Sequence, residues 1–569
     1  MVHNLGPSPF GHPFWEPFTG VGEPAKCLDE WTIIEMSKLI RAKNDWKVKY
    51  RDETIASRWR AELRGRFTSR FGSMDELIEY VFRELAWYEY VERNFEGLKE
   101  SGFVIGCDDK IVCSDRAVPA DVQNGLRAEV ERFAQAEFGN TRDYHPGTSK
   151  QVVDLVHPSL YPFQYGVTPQ TRTRTRKQKR GPADTPPEQE VFVLDFSDRI
   201  GTVKHGVDAA AISRKYQWLP ALMDRKPGRG GPDGDSLEHS YHFVSYINNL
   251  DPDKHSRLYG PIARVFNLAL PGLNYTLSRL ATGSPRRIRP PLRSYYTQEY
   301  HDKLREVLAD DDNDEDAIAA FVRTKLAYLK ERPLRYTRDH PVNYDFDLRK
   351  TFEKLRVIVK LANIELTPAS PRYNGGSWHV EGTVNEDIVA TVVYYYDSSN
   401  VTESRLSFRG AFEPPAHEQD DTIGCEAIFG IKHGETLTRM VGDVECKEGR
   451  VVVFPNWFQH RVEPFELEDA TKSGHRKILC MHVCDPYNDR VVSTASVPPQ
   501  QKSWYEGPLA DKMSASGKLE KIVEVTGDTW PIGLHESRTV REELMKERSI
   551  VHSEEGWGPF YREFTSYEH

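Results

Sequence analysis

Three histidine-x-acid triplets stand out as possible metal ligands: His379-Val380-Glu381, His433-Gly434-Glu435 and His552-Ser553-Glu554. In an extended strand, residues i and i+2 face the same way, so each triplet could offer an imidazole and a carboxylate to one ion. The pattern alone carries little weight, because 19 histidines and 86 acidic residues in 569 positions give about three such triplets by chance. A further histidine separates the first from the others. His460 lies in GRVVVFPNWFQHRVEPF (449–465), after a Gly-led apolar strand and a Pro-Asn turn. It follows His379 by 81 residues, room for several intervening strands. From His433 the gap is only 27 residues, and His552 is followed only by His569. Those two triplets read as surface pairs. Two imidazoles and one carboxylate on a single face of an octahedral ion leave three adjacent positions open, as in non-haem Fe(II) oxygenase chemistry. A closed zinc site would need a fourth protein donor, and none is evident.

A 2-oxo dicarboxylate bound beside such an ion needs an anchor for its far carboxylate. A guanidinium suits this because it is planar and bidentate. Sixteen residues beyond His460 comes GHRKILCMHVCDP (474–486). Arg476 opens this strand, and Lys477 must face the other way, so only one of them can point inward. Arg476 is favoured. Trp378, Tyr394, Tyr396 and His482 are candidate pocket walls, His482 because alternation puts it on the Arg476 face.

These residues need a frame. Apolar spacing predicts helices over 28–44, 74–96 and 121–138, a helical block over 240–280 punctuated by Pro252 and Pro271 and capped by Asp251, and two more helices over 297–310 and 314–331. The acidic run 310–316 reads as a helix N-terminal charge complement. Residues 168–191 lose apolar content, and Arg172, Arg174, Arg176, Lys177, Lys179 and Arg180 precede three prolines, which reads as a mobile loop or linker. After about residue 350, strand-like segments dominate: 387–396, 404–412, 435–441, 450–454, 459–463 and 475–484. Their spacing suggests a two-sheet jelly roll of about eight strands. The expected class is α+β: a double-stranded β-helix, cupin-like core with a large, mainly helical N-terminal region. The expected divisions are 1–167 helical, 168–191 loop, 192–350 second helical region, 351–500 catalytic core and 501–569 a C-terminal extension.

Composition bounds the rest. A hydrophobic fraction of 38% supports a sizeable core. No apolar run approaches a membrane span. A net charge of −10 argues against wholesale nucleic-acid binding. Seven cysteines without a CxxC predict neither a disulfide framework nor a zinc ribbon. The opening residues lack a basic stretch followed by an apolar one, so no secretory signal is expected. The expected setting is cytoplasmic, with nuclear targeting through 172–180 left open. GRGGPDGD (228–235) lacks the Lys-Ser/Thr that a phosphate loop requires.

The order His-x-Glu, then Gly-Arg-apolar-Phe-Pro with His-Arg-Val, then Gly-x-Arg resembles the Fe(II)/2-oxoglutarate-dependent oxygenases. SWHVEG is similar to the metal-binding strand of their Jumonji-type members. SYINNLDPDKH, LYGPI, WHVEGTVNE and FPNWFQHRVEPF together resemble a large fungal domain-of-unknown-function family, over about 30–500. The resemblance implies iron at His379, Glu381 and His460, and 2-oxoglutarate on Arg476. It also implies a co-substrate hydroxyl from Tyr373. Many relatives carry Ser or Thr two residues after the anchoring Arg, where this chain has Ile478; a lysine anchor, as in Jumonji-type members, stays open. The expected activity is a dioxygenase that hydroxylates, desaturates or cyclises a small-molecule or amino-acid-like substrate. The alternatives are an inactive cupin-like metal-binding or protein-interaction module, and an iron oxygenase that does not use 2-oxoglutarate.

Overall fold

A computed structural model describes the chain except for residues 1–6, 12, 15–22, 71, 140, 175–187, 198–210, 226–239, 284–285, 289–294, 310–314, 329–345, 553–559 and 567–569. The fold is α+β with large antiparallel sheets. Seven strands frame the site: β1 (Lys354–Leu366), β2 (Ile388–Ser399), β3 (Arg405–Glu413), β4 (Thr438–Glu445), β5 (Val451–Pro455), β6 (Gln459–Val462) and β7 (Gly474–Cys484).

One sheet has nine strands, with β1, β7, β2 and β5 adjacent in that order and antiparallel throughout. Strands Val112–Ser114 and Val104–Ile105 extend it past β5, and Ala221–Arg225, Tyr241–Phe243 and Val152–Val156 extend it past β1. The division into a helical first half and a strand-rich second half therefore fails at the level of this sheet. These strands are only two to five residues long, too short for period-two alternation to show in sequence. The second sheet has four strands: β4 and β6 both pair with β3, and Glu23–Pro24 lies parallel to β3.

β2 reads IVATVVYYYDSS and is buried along its first nine residues, as expected for a strand covered on both faces. On one face, Tyr394, Tyr396, Leu479 and Met481 join the large helical core. On the other, Val393, Tyr395 and Cys480 meet Phe408 of β3 and Phe454 of β5 in a separate cluster, which packs the two sheets together. The helices α1 (Leu28–Arg41), α2 (Met74–Asn94) and α3 (Ala120–Phe138) lie within or one to two residues of their expected bounds at each end. α4 differs: it begins at Ser256, runs to Thr282 and carries Pro261 and Pro271 inside it. Its buried residues hold it continuous through prolines that would end a solvent-exposed helix. Gly272 permits the close approach to the sheet, since a Cβ there would lie 2.9 Å from the Phe103 ring and 3.1 Å from Val453. Asp251 closes the preceding turn instead of capping α4, accepting the Asp253 and Lys254 N–H groups.

The region read as a loop is partly a hairpin. Pro169–Arg174 pairs antiparallel with Glu188–Val193, and Arg172 bonds Glu190 at 2.8 Å. Arg176, Lys177, Lys179 and Arg180 lie outside the described residues, as do 228–235, Asp310–Asp314 and Glu554. The segment after 500 contains Pro508–Ala515, Lys518–Thr526 and α5 (Leu534–His552). None of the seven cysteines, all buried, forms a disulfide. Among the described residues, no helix is long and apolar enough to cross a membrane.

Candidate metal centre

His379 lies in an isolated antiparallel bridge with His460, not in a continuous strand. Each backbone N–H donates to the other's carbonyl, at 3.2 and 2.9 Å. This cross-strand pairing puts both imidazoles on one face, with ring centroids 4.4 Å apart. Glu381 follows two residues later and is gripped by its backbone. Asn456 accepts the Glu381 N–H and donates to its carbonyl, both at 2.8 Å. Gly382 then turns the chain at φ +70°, a conformation costly for a residue with a Cβ. Glu386 ties down the turn by accepting the Thr383 N–H and hydroxyl and the Trp218 N–H. Arg548 of α5 donates to the same carboxylate at 2.6 Å.

The donor atoms converge. Glu381 Oε1 is 3.4 Å from His460 Nε2 and 3.8 Å from His379 Nε2, and one ligand atom from each residue lies within 4.8 Å of the others. Donors each about 2.1 Å from a shared ion sit roughly 3–4 Å apart, so the set fits a divalent cation. His379 Nδ1 lies 2.9 Å from the Ser377 carbonyl, which can only accept, so Nδ1 carries a proton and Nε2, on the Glu381 side, is the nitrogen placed to ligate. Burial alone would raise the Glu381 carboxyl, but the His482, His379 and His460 imidazoles outweigh it and hold it well below the usual range. The His379 side chain is 37% exposed, against 11% for Glu381 and 7% for His460, so the site opens on the His379 side.

Arg476 is 1% exposed and lies between the sheets. It donates to Ser404 Oγ and stands over the Tyr395 and Phe465 rings at 5.4 and 5.1 Å. No carboxylate pairs with it among the described residues, and its Nε is buried without a hydrogen bond. Lys477 faces outward and pairs with Asp397 at 2.7 Å. Tyr373 is half-buried against Phe465; burial raises its phenol, opposed by the positive charges of Arg476 and Lys360. Sequence reading missed Lys360, opposite Cys480 on β1. Burial opposes its charge, but Glu381 and Asp154 outweigh this and raise the ammonium. Its position two residues from Ile358 and Ala362, in a strand of matching alternation, was the only available signal.

Three of the proposed wall residues lie elsewhere. Tyr394 and Tyr396 face the helices, because the inward position on β2 is Tyr395. Trp378 stacks against Arg409 and Arg461 at 4.9 and 4.6 Å. His482 is fully buried, with Nδ1 3.0 Å from Thr391 Oγ1 and Nε2 3.9 Å from Glu381 Oε2. His433 is exposed, and its Nδ1 accepts the Ser566 N–H at 3.3 Å.

His145, Asp154 and His157 also bring three donor atoms within 4.8 Å, but their hydrogen bonds suit a cation poorly. Ser159 N–H donates to His157 Nδ1, which leaves the proton of the neutral ring on Nε2. Burial keeps that ring well below its usual pKa and therefore neutral. Asp154 is already engaged by His145 at 2.8 Å and by the Arg541 guanidinium at 3.6 Å.

The family described as "Protein of unknown function (DUF4246)" matches residues 75–508, and its N-terminal domain matches residues 3–62. The chain belongs to the DUF4246 family. No curated protein matches this DUF4246 chain. Among solved structures, it is 14% identical to TqaL, described as an Fe(II)/(alpha)ketoglutarate-dependent dioxygenase, over 30% of this chain and 52% of that one, with a TM-score of 0.16. It is 11% identical to IDO from Bacillus thuringiensis, over 31% and 59%, with a TM-score of 0.16. It is 10% identical to AviO1 from Streptomyces viridochromogenes Tue57, over 66% and 90%, with a TM-score of 0.19. The chain spans just over half the length of the first two. Likeness at these scores carries no argument about fold or chemistry.

Proposed function

We propose that the chain is a non-haem Fe(II), 2-oxoglutarate-dependent oxygenase. Iron is held by His379, Glu381 and His460, and the far carboxylate of 2-oxoglutarate by Arg476. The observation that carries this reading is the pairing of two features between the same sheets: a two-histidine, one-carboxylate cluster and a buried guanidinium lacking a carboxylate. A buried charge without a partner is costly, and a bound dicarboxylate supplies one.

Strand order supports a double-stranded β-helix for this core. The strands pair first with last: β1 with β7, the His379 segment with β6, β2 with β5, and β3 with β4. That nesting is what a long hairpin produces when it folds over into two sheets, as in a jelly roll.

The metal, when bound, supplies dioxygen activation coupled to oxidation of the 2-oxo acid. The chain's own part is positioning. The Ser377 carbonyl keeps the His379 proton on Nδ1, so that Nε2 can bind. Asn456 fixes Glu381 through its backbone. Arg476, steadied by Ser404 and two aromatic faces, orients the co-substrate, with Tyr373 and Lys360 as further polar contacts on that wall. Phe408 and Phe454 pack beside His460, ring centroids 6.4 and 4.9 Å away, and exclude water from the inner side. The substrate, a small or amino-acid-like molecule, enters from the exposed His379 side.

The test is succinate release from 2-oxoglutarate by anaerobically iron-loaded protein. Release that disappears in His379→Ala and in Arg476→Met supports the reading. No release from folded wild type, across a panel of amino acids and small metabolites, favours a binding module. Release lost in His460→Ala but intact in Arg476→Met points to another anchor.

A further inference from the structure

We propose that His482, oriented by Thr391, is a positioning residue that holds the second oxygen of Glu381 away from the ion and so keeps that ligand single-handed. The inference rests on the metal reading of the His379, Glu381 and His460 cluster.

Thr391 and His482 are directly opposed on β2 and β7, and both are 0% exposed. The Thr391 hydroxyl meets His482 Nδ1 at 3.0 Å. On the far side of the ring, Nε2 is buried, has no hydrogen-bond partner and lies 3.9 Å from Glu381 Oε2. The two carboxylate oxygens thus face different neighbours: Oε1 turns to His379 and His460, and Oε2 to His482. Buried polar atoms without partners are rare enough to call for an explanation.

The neighbours decide the tautomer. A carboxylate oxygen only accepts, so an Nε2 lone pair aimed at it would be repelled, whereas an N–H is attracted. The proton therefore belongs on Nε2. Nδ1 must then accept, and the Thr391 hydroxyl donates to it. An imidazole in this state cannot ligate through Nε2, so His482 does not fill a fourth protein position. It instead offers a donor to the oxygen the ion does not use, the outer-contact arrangement that orients metal ligands. The Trp218 ring lies 6.2 Å from the His482 ring at a 32° tilt and is itself covered by the Arg548 guanidinium at 4.0 Å, which limits rotation of the imidazole. Without that donor, Oε2 can swing inward and occupy a position that exogenous ligands need.

Co(II) is the probe, bound to metal-free full-length protein and read by affinity and visible absorption, with azide titrated in to report open positions. His482→Leu should weaken Co(II) binding by about 10- to 100-fold, change the absorption spectrum and weaken azide binding. Thr391→Val should move the same signals in the same direction, while His482→Gln, which keeps a donor, and Thr391→Ser, which keeps the hydroxyl, should recover them. Melting temperature and near-ultraviolet circular dichroism check folding, and the Thr391 pair decides the matter if His482→Leu does not fold. Wild-type affinity, spectrum and azide response in His482→Leu or Thr391→Val overturn the proposal. So does complete loss of Co(II) in both His482→Leu and His482→Gln, which would make His482 a ligand. Failure of folded wild type to bind Co(II) removes the metal reading itself, a distinct outcome.

Discussion

Asn456 holds Glu381 by both sides of its peptide, donating to the carbonyl and accepting the N–H at 2.8 Å each, and its Nδ2 also reaches the Ile388 carbonyl at 3.2 Å. One buried amide therefore ties the β5–β6 turn to Glu381 and to the start of β2. Asn456→Ala leaves those backbone groups unpaired and should cost about 1–3 kcal/mol, with a larger proportional loss of Co(II) affinity. Chemical denaturation and metal titration on the same protein check this. Unchanged metal affinity would separate the clamp from the site.

Arg476→Met should act in opposite directions on stability and on ligand binding. Replacing a buried guanidinium that has no carboxylate with an apolar chain should leave ligand-free stability unchanged or raise it by about 1–4 kcal/mol. Affinity for 2-oxoglutarate, measured calorimetrically on Mn(II)-loaded protein, should fall at least about 30-fold. A variant that unfolds at lower temperature and still binds would assign Arg476 to the frame alone.

Arg548→Ala removes the cation from a Glu386 that is 0% exposed. The uncompensated carboxylate should cost about 3–5 kcal/mol. The double variant Arg548→Met with Glu386→Gln should regain part of that loss, because it removes both charges. Thermal melts of Arg548→Met, Glu386→Gln and the double variant give the coupling directly.

Asp397 pairs with Lys477 at 2.7 Å, and His475 Nε2 lies 3.1 Å from the same carboxylate oxygen. Burial would raise its carboxyl, but those two partners outweigh it and hold it below the ordinary aspartate value. A carboxyl lowered in the folded state adds stability that is complete above its unfolded pKa of about 4 and is lost as pH falls through the folded value. Asp397→Asn should therefore be less stable than wild type by about 1–3 kcal/mol at pH 7, with the gap closing below about pH 4. Denaturation midpoints across that range test the sign; a gap that widens in acid contradicts it.

The sequence made legible those features that depend on long alternation. β2, β5 and β7 were visible because each is a continuous run of β-branched, aromatic or aliphatic residues, and the inward placement of Arg476 against Lys477 follows from their adjacency. Their spacing likewise brought His379, Glu381 and His460 forward as a set. β1 escaped notice as a separate strand because KLRVIVKLANIEL also satisfies helical spacing. Lys360 went unseen with it, since a lysine between aliphatics reads as a solvent-facing residue until the second sheet is placed over it. The Tyr394–Tyr395–Tyr396 run gave no hint of which ring turns inward, because all three are large aromatics and the parity is set by pairing with β7, which puts Tyr395 opposite Ile478. Asn456 looked like an ordinary turn residue. Its reach to Glu381 crosses 75 positions, a distance at which local propensity carries no information.

The Arg548–Glu386 contact has a consequence for biosynthesis. Polypeptides leave the ribosome N-terminus first and fold as they emerge. His379, Glu381 and His460 are all translated before the arginine that braces the turn between Glu381 and β2. A nascent or truncated polypeptide can thus display all three candidate ligands while lacking the buttress that keeps them in register. On the metal reading proposed above, stable loading follows the docking of α5.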